Sequence, residues 1–256
     1  ASGTGAVALG GLGGTAGGSA ATKDFAVAIG AAAYATETGA VAIGGNSTNV
    51  SKASGKNSAA IGSNAQALAE NTLAFGTGSV ASQANSIALG VNANAWGENT
   101  ISIGNGNKVT GKNSGAIGDP SIIDGANSYS VGNNNIINSS VTDAFILGNT
   151  ANVNSSGGVA LGSNSVSATG SGVAGYSPLG TNNAAITATN STTGAVAVGN
   201  AAKGVYRQIT GLAAGTLDSD AVNVAQLKAA QIHYFSVSST GGNNYNNDGA
   251  IKPDAI

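Results

Sequence analysis

The stretch SIALGVNANAWGENTISIG, residues 86–104, decides the fold because it contains one short phrase twice, ending at Gly90 and at Gly104. The same phrase of alternating apolar and small residues followed by glycine recurs through the middle of the chain at a stride of 14 residues, with glycines at 62, 76, 90, 104, 118 and 132. A fixed short period predicts a solenoid, in which each coil stacks only on its neighbours.

The residues before each phrase-ending glycine predict a β-strand with two different faces. The residues one and three places before the glycine are large and apolar, as in Ile87 and Leu89, whereas the residue between them is small, as in Ala88. Such alternation is typical of a strand, and Ile146 is the one large residue at the small position. A symmetric partner is the simplest way to keep both faces dry. The sequence leaves open which face meets that partner.

A weaker alternation after each glycine predicts a second strand in every coil. Small residues flank a mixed, often polar residue, as in Ala93-Asn94-Ala95. Turns such as Gly-Lys-Asn-Ser at residues 111–114 then lead into the next phrase, and Gly and Asn suit such corners because they tolerate positive φ. Each coil is therefore predicted to hold two strands of about five residues and two turns, which gives two parallel sheets back to back.

Composition agrees with stacked sheets and excludes several functional classes. The chain of 256 residues has 41 Gly, 4% aromatic residues and neither Cys nor Met, which suits tightly stacked sheets better than a bulky core. A net charge of −2, with few basic residues, offers no footprint for nucleic acid. No apolar run approaches the roughly 20 residues of a membrane helix, so we expect no membrane contact by this stretch.

Neither a catalytic site nor a cofactor site is expected. The single histidine, His233, belongs to no recognisable nucleophile–base pattern. The GLGGTAGG run at residues 11–18 lacks the Lys-Ser/Thr ending of a phosphate-binding loop. The absence of Cys excludes thiolate ligands, and the few Asp residues are too scattered for a calcium-binding repeat. We predict that the protein is not an enzyme and binds no cofactor or metal.

The coil pattern ends near residue 204, and a short helix is predicted within AVNVAQLKAAQ, residues 221–231. The candidate N-cap residues are Asp218, Ser219 and Asp220. An isolated helix of this length is marginal in water, so it is predicted to form one strand of a short coiled coil. The residues predicted to mediate trimerisation there are Val222, Val224 and Leu227.

The coil phrases, followed by QITGLAAGTLDSDAVNVAQLK at residues 208–228, resemble the head and neck of a trimeric autotransporter adhesin. The resemblance covers roughly residues 1–230. It implies an all-β, left-handed parallel β-roll solenoid of 14-residue coils that forms a homotrimer about a threefold axis. It also implies a parent chain of the type V secretion class, anchored in the bacterial outer membrane by a C-terminal β-barrel, with the head facing outward at the cell surface.

Three segments are expected along the chain. Residues 1–203 form the β-roll head, with insertions near 11–24, 45–54 and 163–193. Residues 204–231 form the neck and the short coiled-coil helix, and residues 232–256 resemble a connector to a further head module. The stretch 163–193 departs from the repeat, so the sequence leaves its path open.

Adhesion is the predicted function. A rigid trimeric head would bind host extracellular-matrix proteins or cell-surface receptors through three equivalent faces, a role associated with virulence. NSxAxG-type coils are linked to matrix binding within the resembled family, which implies partner contacts at Asn57, Ser58, Asn85, Ser86, Asn113, Ser114, Asn127 and Ser128. The alternatives are a non-adhesive structural solenoid and an ice- or carbohydrate-surface-binding module. The latter predicts a ladder of identical outward residues, which the second-strand positions lack.

Overall fold

The computed structural model of the protein describes residues 1–11, 18–46, 48–177 and 184–230. The chain divides into two compact units: Ala1–Gly175 with Asn190–Arg207, and Tyr176–Thr189 with the segment from Gln208 onward. His233, the connector 232–256 and most of the glycine-rich run 11–18 lie outside the described residues. The first unit is the solenoid that the 14-residue stride predicts.

The solenoid consists of two parallel sheets whose strands alternate along the chain. The first sheet contains β1 (Val7–Leu9), β3 (Val27–Ile29), β5 (Val41–Ile43), β7 (Ala59–Ile61), β9 (Leu73–Phe75), β11 (Ile87–Leu89), β13 (Ile101–Ile103), β15 (Gly115–Ile117), β17 (Tyr129–Val131), β19 (Phe145–Leu147), β21 (Val159–Leu161) and β23 (Val196–Ala197). The second sheet contains β2 (Ala20–Ala21), β4 (Ala33–Ala35), β6 (Ser51–Ala53), β8 (Gln66–Ala67), β10 (Val80–Ala81), β12 (Asn94–Ala95), β14 (Lys108–Val109), β16 (Ile122–Ile123), β18 (Ile136–Ile137), β20 (Asn152–Val153) and β22 (Val166–Ser167).

Neighbouring strands pair in the register that the repeat predicts. Ile87 of β11 pairs with Ile101 of β13, one coil further on, and the same positions stack along the whole solenoid. The strands are shorter than the predicted five residues, at two or three each. Residues with positive φ flank the strands: Asn85 has φ +59° before β11, and Gly90 has φ +134° after it.

The interior between the sheets is built from small side chains. The middle residue of each first-sheet strand before β23 points inward, and Ala88 of β11 is fully buried. From Ala21 to Ala95 the buried apolar core consists of alanine alone, whereas the core between Val109 and Ala160 also holds isoleucine side chains. Ile146 belongs to this bulkier part. The small face of the first strand is therefore the inner face.

The last coil is interrupted before it closes. Strand β22 ends at Ser167, and the chain returns to the first sheet only at β23, where Val196 pairs with Val159 of β21. A 3-10 turn, Ala201–Lys203, follows, and the first unit ends at Arg207. Strand β22 therefore lies within the stretch 163–193 that the sequence predicts as an insertion, and the regular coil continues to Ser167.

The second unit contains two short helices among its described residues, α1 (Ala184–Ala188) and α2 (Val224–Ala229). The predicted N-caps at Asp218, Ser219 and Asp220 are wrong, because Asn223 caps α2 in a reciprocal capping box with Gln226. The Asp220 carboxylate instead accepts hydrogen bonds from the backbone N–H groups of Leu217 and Thr216, which lower its pKa. Within the described part of the chain, neither helix has the length and hydropathy of a membrane span.

Candidate functional site

The outward side of the first sheet is a continuous apolar face. We use this name for the residues one and three places before each phrase-ending glycine. Phe75 and Ile117 are 47% and 49% exposed there. With twelve strands stacked at about 4.8 Å, the face is roughly 50 Å long. Its members are Val7, Leu9, Val27, Ile29, Val41, Ile43, Ala59, Ile61, Leu73, Phe75, Ile87, Leu89, Ile101, Ile103, Gly115, Ile117, Tyr129, Val131, Phe145, Leu147, Val159, Leu161, Val196 and Val198.

The gap in this face at Gly115 is filled by a neighbouring ring. A Cβ built on Gly115 would lie 2.8 Å from the ring carbons of Tyr129, which pairs with it in the next strand. A soluble monomer rarely exposes a contiguous apolar surface of this extent. The apolar face therefore has the character of a buried interface.

The outward side of the second sheet is mixed in character. Lys108 forms an ion pair with Asp124 at 3.1 Å. Together with Ile122 and Ile136, it also lines a cavity of about 400 Å³. The outward residues of this sheet are Ala20, Tyr34, Lys52, Gln66, Val80, Asn94, Lys108, Ile122, Ile136, Asn152 and Val166. As the sequence predicts, these positions form no ladder of identical residues.

A ladder of identical residues lies instead at the corner that precedes the first-sheet strands. Each asparagine donates from Nδ2 to Oδ1 of the asparagine one coil further on; Asn85 reaches Asn99 at 3.0 Å, and Asn99 reaches Asn113 at 2.9 Å. The ladder ends on the carboxylate of Asp143, which accepts from Asn127 at 3.2 Å. We call Asn57, Asn71, Asn85, Asn99, Asn113 and Asn127 the asparagine ladder.

The structure separates the eight predicted partner-contact residues into two groups. Asn57, Asn85 and Asn127 are exposed and Asn113 is half-buried, and all four belong to the asparagine ladder. The four serines are buried, and their hydroxyls donate to backbone carbonyl oxygens of the corners: Ser58, Ser86, Ser114 and Ser128. Partner contact at these positions stays a prediction, and only the asparagines are accessible for it.

Sequence reasoning missed two members of the ladder. Asn71 and Asn99 are followed by threonine instead of serine, so the Asn-Ser motif passes over them. The 14-residue stride was the signal that could have found them, since counting back from Asn85 gives 71 and counting forward gives 99. The hydroxyls of Thr72 and Thr100 donate to corner carbonyls at 2.6 and 2.8 Å, as the serines do.

Replacing Asn99 with alanine is expected to lower the free energy of unfolding by about 2 kcal/mol. The substitution removes two side-chain hydrogen bonds and places a residue that disfavours φ > 0 at φ +56°. Asn99→Gly keeps the left-handed backbone accessible and removes only the amide, so about half of that loss is expected. Denaturant unfolding followed by circular dichroism measures both. Wild-type stability in Asn99→Ala would contradict the role of the ladder.

The predicted trimerisation residues of the second unit lie at the start of α2. Val224 and Leu227 are on the helix and are 67% and 65% exposed in the single chain. Val222 is equally exposed and precedes the helix, next to the Asn223 cap. Their role in trimerisation stays a prediction. Such a role would explain why these apolar side chains are exposed in the single chain.

The described residues contain no group of three or more His, Cys, Asp or Glu side chains that could hold a metal ion. Their ion pairs, Lys108–Asp124 and Lys112–Glu98, lie at the surface. The features that distinguish this molecule are thus two extended surfaces, the apolar face and the asparagine ladder.

Two family models match parts of the chain, one within each unit. The model for the YadA head domain repeat matches residues 21–47, 53–79, 81–107 and 95–119, and the model for the coiled stalk of trimeric autotransporter adhesin matches residues 208–252. The head matches fall on coils of the solenoid. The stalk match begins one residue after Arg207, where the first unit ends.

Two relatives and one solved structure are similar to parts of the chain. The trimeric autotransporter adhesin AtaA of Acinetobacter sp. (strain Tol 5) is 56% identical over 96 residues, and the autotransporter adhesin BadA of Bartonella henselae is 47% identical over 94 residues. These alignments cover 34% and 35% of this chain and 3% of each relative.

The crystal structure of the collagen-binding domain of Yersinia adhesin YadA matches with a TM-score of 0.43 and 26% identity, covering 69% of this chain and 83% of that one. The repeated glycine phrases, the stacked coils and the head and stalk matches all indicate the same family. The chain belongs to the trimeric autotransporter adhesin family and contains YadA-like head repeats followed by sequence that matches the coiled stalk.

Proposed function

We propose that this chain is the head and neck of a homotrimeric adhesin that displays its solenoid at the bacterial cell surface and binds host extracellular-matrix proteins or cell-surface receptors. It acts by binding and not by catalysis. The observation that carries the proposal is the apolar face, whose large side chains are left in solvent by a single chain. Adhesion in this family supports the surface role.

The apolar face meets the other two copies. It runs along the solenoid axis, since the same coil positions stack from β1 to β23. Three copies with parallel axes can bring three such faces together and remove them from water. At about 25 cal/mol for each Å² of apolar surface, covering a face of this length favours assembly strongly. The handedness and the threefold symmetry come from the resemblance to the family.

Ligand contacts fall on the surfaces that remain outside. The exposed amides of the asparagine ladder, together with the outward side of the second sheet, present the same groups on three copies. Each amide uses one N–H in the ladder, and its second N–H is left for a partner. Three equivalent surfaces raise the effective concentration, so weak contacts add up to firm attachment.

The segments have corresponding roles in this proposal. Residues 1–203 form the head, residues 204–231 form the neck and the start of the coiled coil, and residues 232–256 lead toward a further module. Val222, Val224 and Leu227 pack against their equivalents in the other two copies. The parent protein is anchored in the outer membrane, which places the head outside the cell.

Solution mass and attachment test the proposal together. Light scattering on the full chain is expected to give three times the chain mass of 24.2 kDa. Immobilised trimers are then expected to retain at least one of a panel of matrix proteins or intact host cells. A folded monomer would contradict the assembly, and trimers that bind no matrix protein and no host cell would contradict the adhesive role.

The asparagine ladder favours a second candidate, binding to a regular carbohydrate or ice surface. Six identical side chains repeat at the coil spacing of about 4.8 Å along one corner. Such an array matches a periodic surface better than it matches a folded protein. Pull-down with insoluble polysaccharides and a thermal hysteresis assay test this alternative. Negative results in both would contradict it and favour binding to proteins.

A further inference from the structure

The apolar face of the first sheet is bordered by a different corner on each side. In the coil that ends at Gly118, strand β15 lies between Asn113, which belongs to the asparagine ladder, and Asp119, which follows the glycine. The equivalent position after the glycine is polar and exposed in four successive coils. We call these residues the post-glycine column: Asn105, Asp119, Asn133 and Asn149.

Hydrogen bonds between successive coils fix the side chains of this column. The backbone N–H of Asp119 donates to Oδ1 of Asn133 at 2.8 Å, and the backbone N–H of Asn133 donates to Oδ1 of Asn149 at 2.8 Å. Oδ1 of Asp119 accepts in the same way from the backbone N–H of Asn105. Within the described part of the chain, Oδ2 of Asp119 and Nδ2 of Asn133 make no hydrogen bond, so both are left for a partner.

A threefold ring places unlike borders next to each other. Each contact in such a ring is heterologous, because rotation about the axis brings one border of a copy against the other border of the next copy. With the three apolar faces turned toward the axis, the asparagine ladder of one copy lies beside the post-glycine column of its neighbour. The same coil stands at the same height in every copy, so Asn113 lies level with Asp119 of the next copy.

We propose that the ligand-binding site of the head is the cleft between two copies, with the asparagine ladder as one wall and the post-glycine column of the next copy as the other. This proposal rests on the trimeric adhesive head proposed above, and it adds that a single chain holds only half of each site. The cleft has two polar walls in the coils that end at Gly104, Gly118 and Gly132. In the two coils before these, the column position holds Thr77 and Val91 instead.

The two walls together fit an extended peptide segment. Each ladder amide has a second N–H, which can donate to a carbonyl oxygen of such a segment. The carboxylate of Asp119 only accepts, so it takes an N–H or an ammonium group from the other side of the peptide. A peptide backbone carries both donors and acceptors along its whole length. The segment therefore lies along the cleft, across several coils.

Crosslinking between copies tests the position of the cleft, and only introduced thiols can react because the chain has no Cys. Lys112→Cys lies on the ladder side, next to Asn113, and Pro120→Cys lies on the column side, next to Asp119. With a short bis-maleimide, the double variant is expected to run at three chain masses on a denaturing gel, because the two thiols of one chain lie on opposite borders of the face. Each single variant is expected to run as one chain. A double variant that is trimeric by light scattering but gives no crosslinked species overturns the cleft and leaves the trimeric adhesin standing.

Mixed trimers test whether the site is shared, with immobilised fibronectin, laminin and collagen as probes. Asn113→Gly removes a ladder amide and Asp119→Ala removes a column carboxylate, and each homotrimer is expected to retain the bound protein about tenfold more weakly. Val91→Ala, two coils earlier in the column position, is the matched control, with wild-type retention expected. Circular dichroism and solution mass show that each variant is folded and trimeric.

Coexpression of Asn113→Gly with Asp119→Ala is expected to restore one of the three clefts in every mixed trimer. There the normal ladder of an Asp119→Ala chain meets the normal column of an Asn113→Gly chain, and part of the retention returns. No recovery overturns the shared site, since a site within one chain would be damaged in every copy. Wild-type trimers that bind none of the three proteins overturn the peptide ligand together with protein adhesion, whereas the crosslinks decide the cleft separately.

Discussion

Replacing Gly90 with alanine is expected to lower the free energy of unfolding by about 4 kcal/mol, enough to unfold the coils around it. Two costs add up. The backbone at Gly90 has φ +134°, which disfavours any residue with a Cβ. The new methyl group would also overlap the carbonyl oxygen of Gly104. That oxygen belongs to stacked backbone, so relief requires two coils to separate.

Gly172→Ala is the matched control for Gly90→Ala. Gly172 also has positive φ, at +78°, but no atom lies within 4 Å of a Cβ built on it. This variant isolates the backbone cost, for which about 1 kcal/mol is expected. Thermal and denaturant unfolding of both variants measure the difference. Equal losses would show that stacking of the glycines contributes nothing beyond their conformational freedom.

Introducing a charge into the apolar face is expected to break the trimer. In Ile117→Lys, three ammonium groups would lie in the dry region where the three faces meet, each without a partner. An unpaired buried charge costs several kcal/mol, and the three charges also repel one another. Light scattering is expected to show a fall from three chain masses to one. Because Ile117 is 49% exposed in the single chain, the coils themselves are expected to stay folded.

Ile122→Lys is the matched control for this charge. Ile122 lies on the strand that follows Ile117 in the chain, is 41% exposed and points outward from the second sheet. The same change there is expected to leave the trimer intact. Dissociation by Ile122→Lys but not by Ile117→Lys would place the second sheet at the interface. It would thereby contradict the orientation proposed for the head.

The coils were predictable from sequence because every level of the repeat points the same way. Alternation around Ala88 predicts a strand, the glycine at 90 predicts the corner, and the stride of 14 predicts the parallel stacking of Ile87 on Ile101. What alternation could not decide was which face is inside, because both faces are apolar. In the structure the small middle residues, such as Ala88, lie between the sheets, and the larger side chains are left outside.

The candidate surfaces were only partly predictable. The Asn-Ser motif marks four members of the asparagine ladder, but its serines are buried and donate to backbone carbonyl oxygens of the corners. The sequence predicts N-caps at Asp218, Ser219 and Asp220. Asp220 instead accepts hydrogen bonds from the backbone N–H groups of Thr216 and Leu217, and Asn223 accepts the hydrogen bond from the Gln226 amide of α2. No sequence pattern predicts the hydrogen bonds of Arg207, because its partners are 9, 42 and 44 residues away.

The stacking of each coil on its neighbour also sets the order in which the solenoid can form. Docking one more coil closes a loop of only 14 residues, so the entropy cost of each step is small and nearly the same from one coil to the next. A chain that emerges gradually can therefore fold as a zipper, without waiting for distant segments. The step from Val159 to Val196 is the exception, since it closes a much longer loop before β23 can pair. The hydrogen bond from Arg207 to the carbonyl oxygen of Val198, which follows β23, depends on that longer closure too.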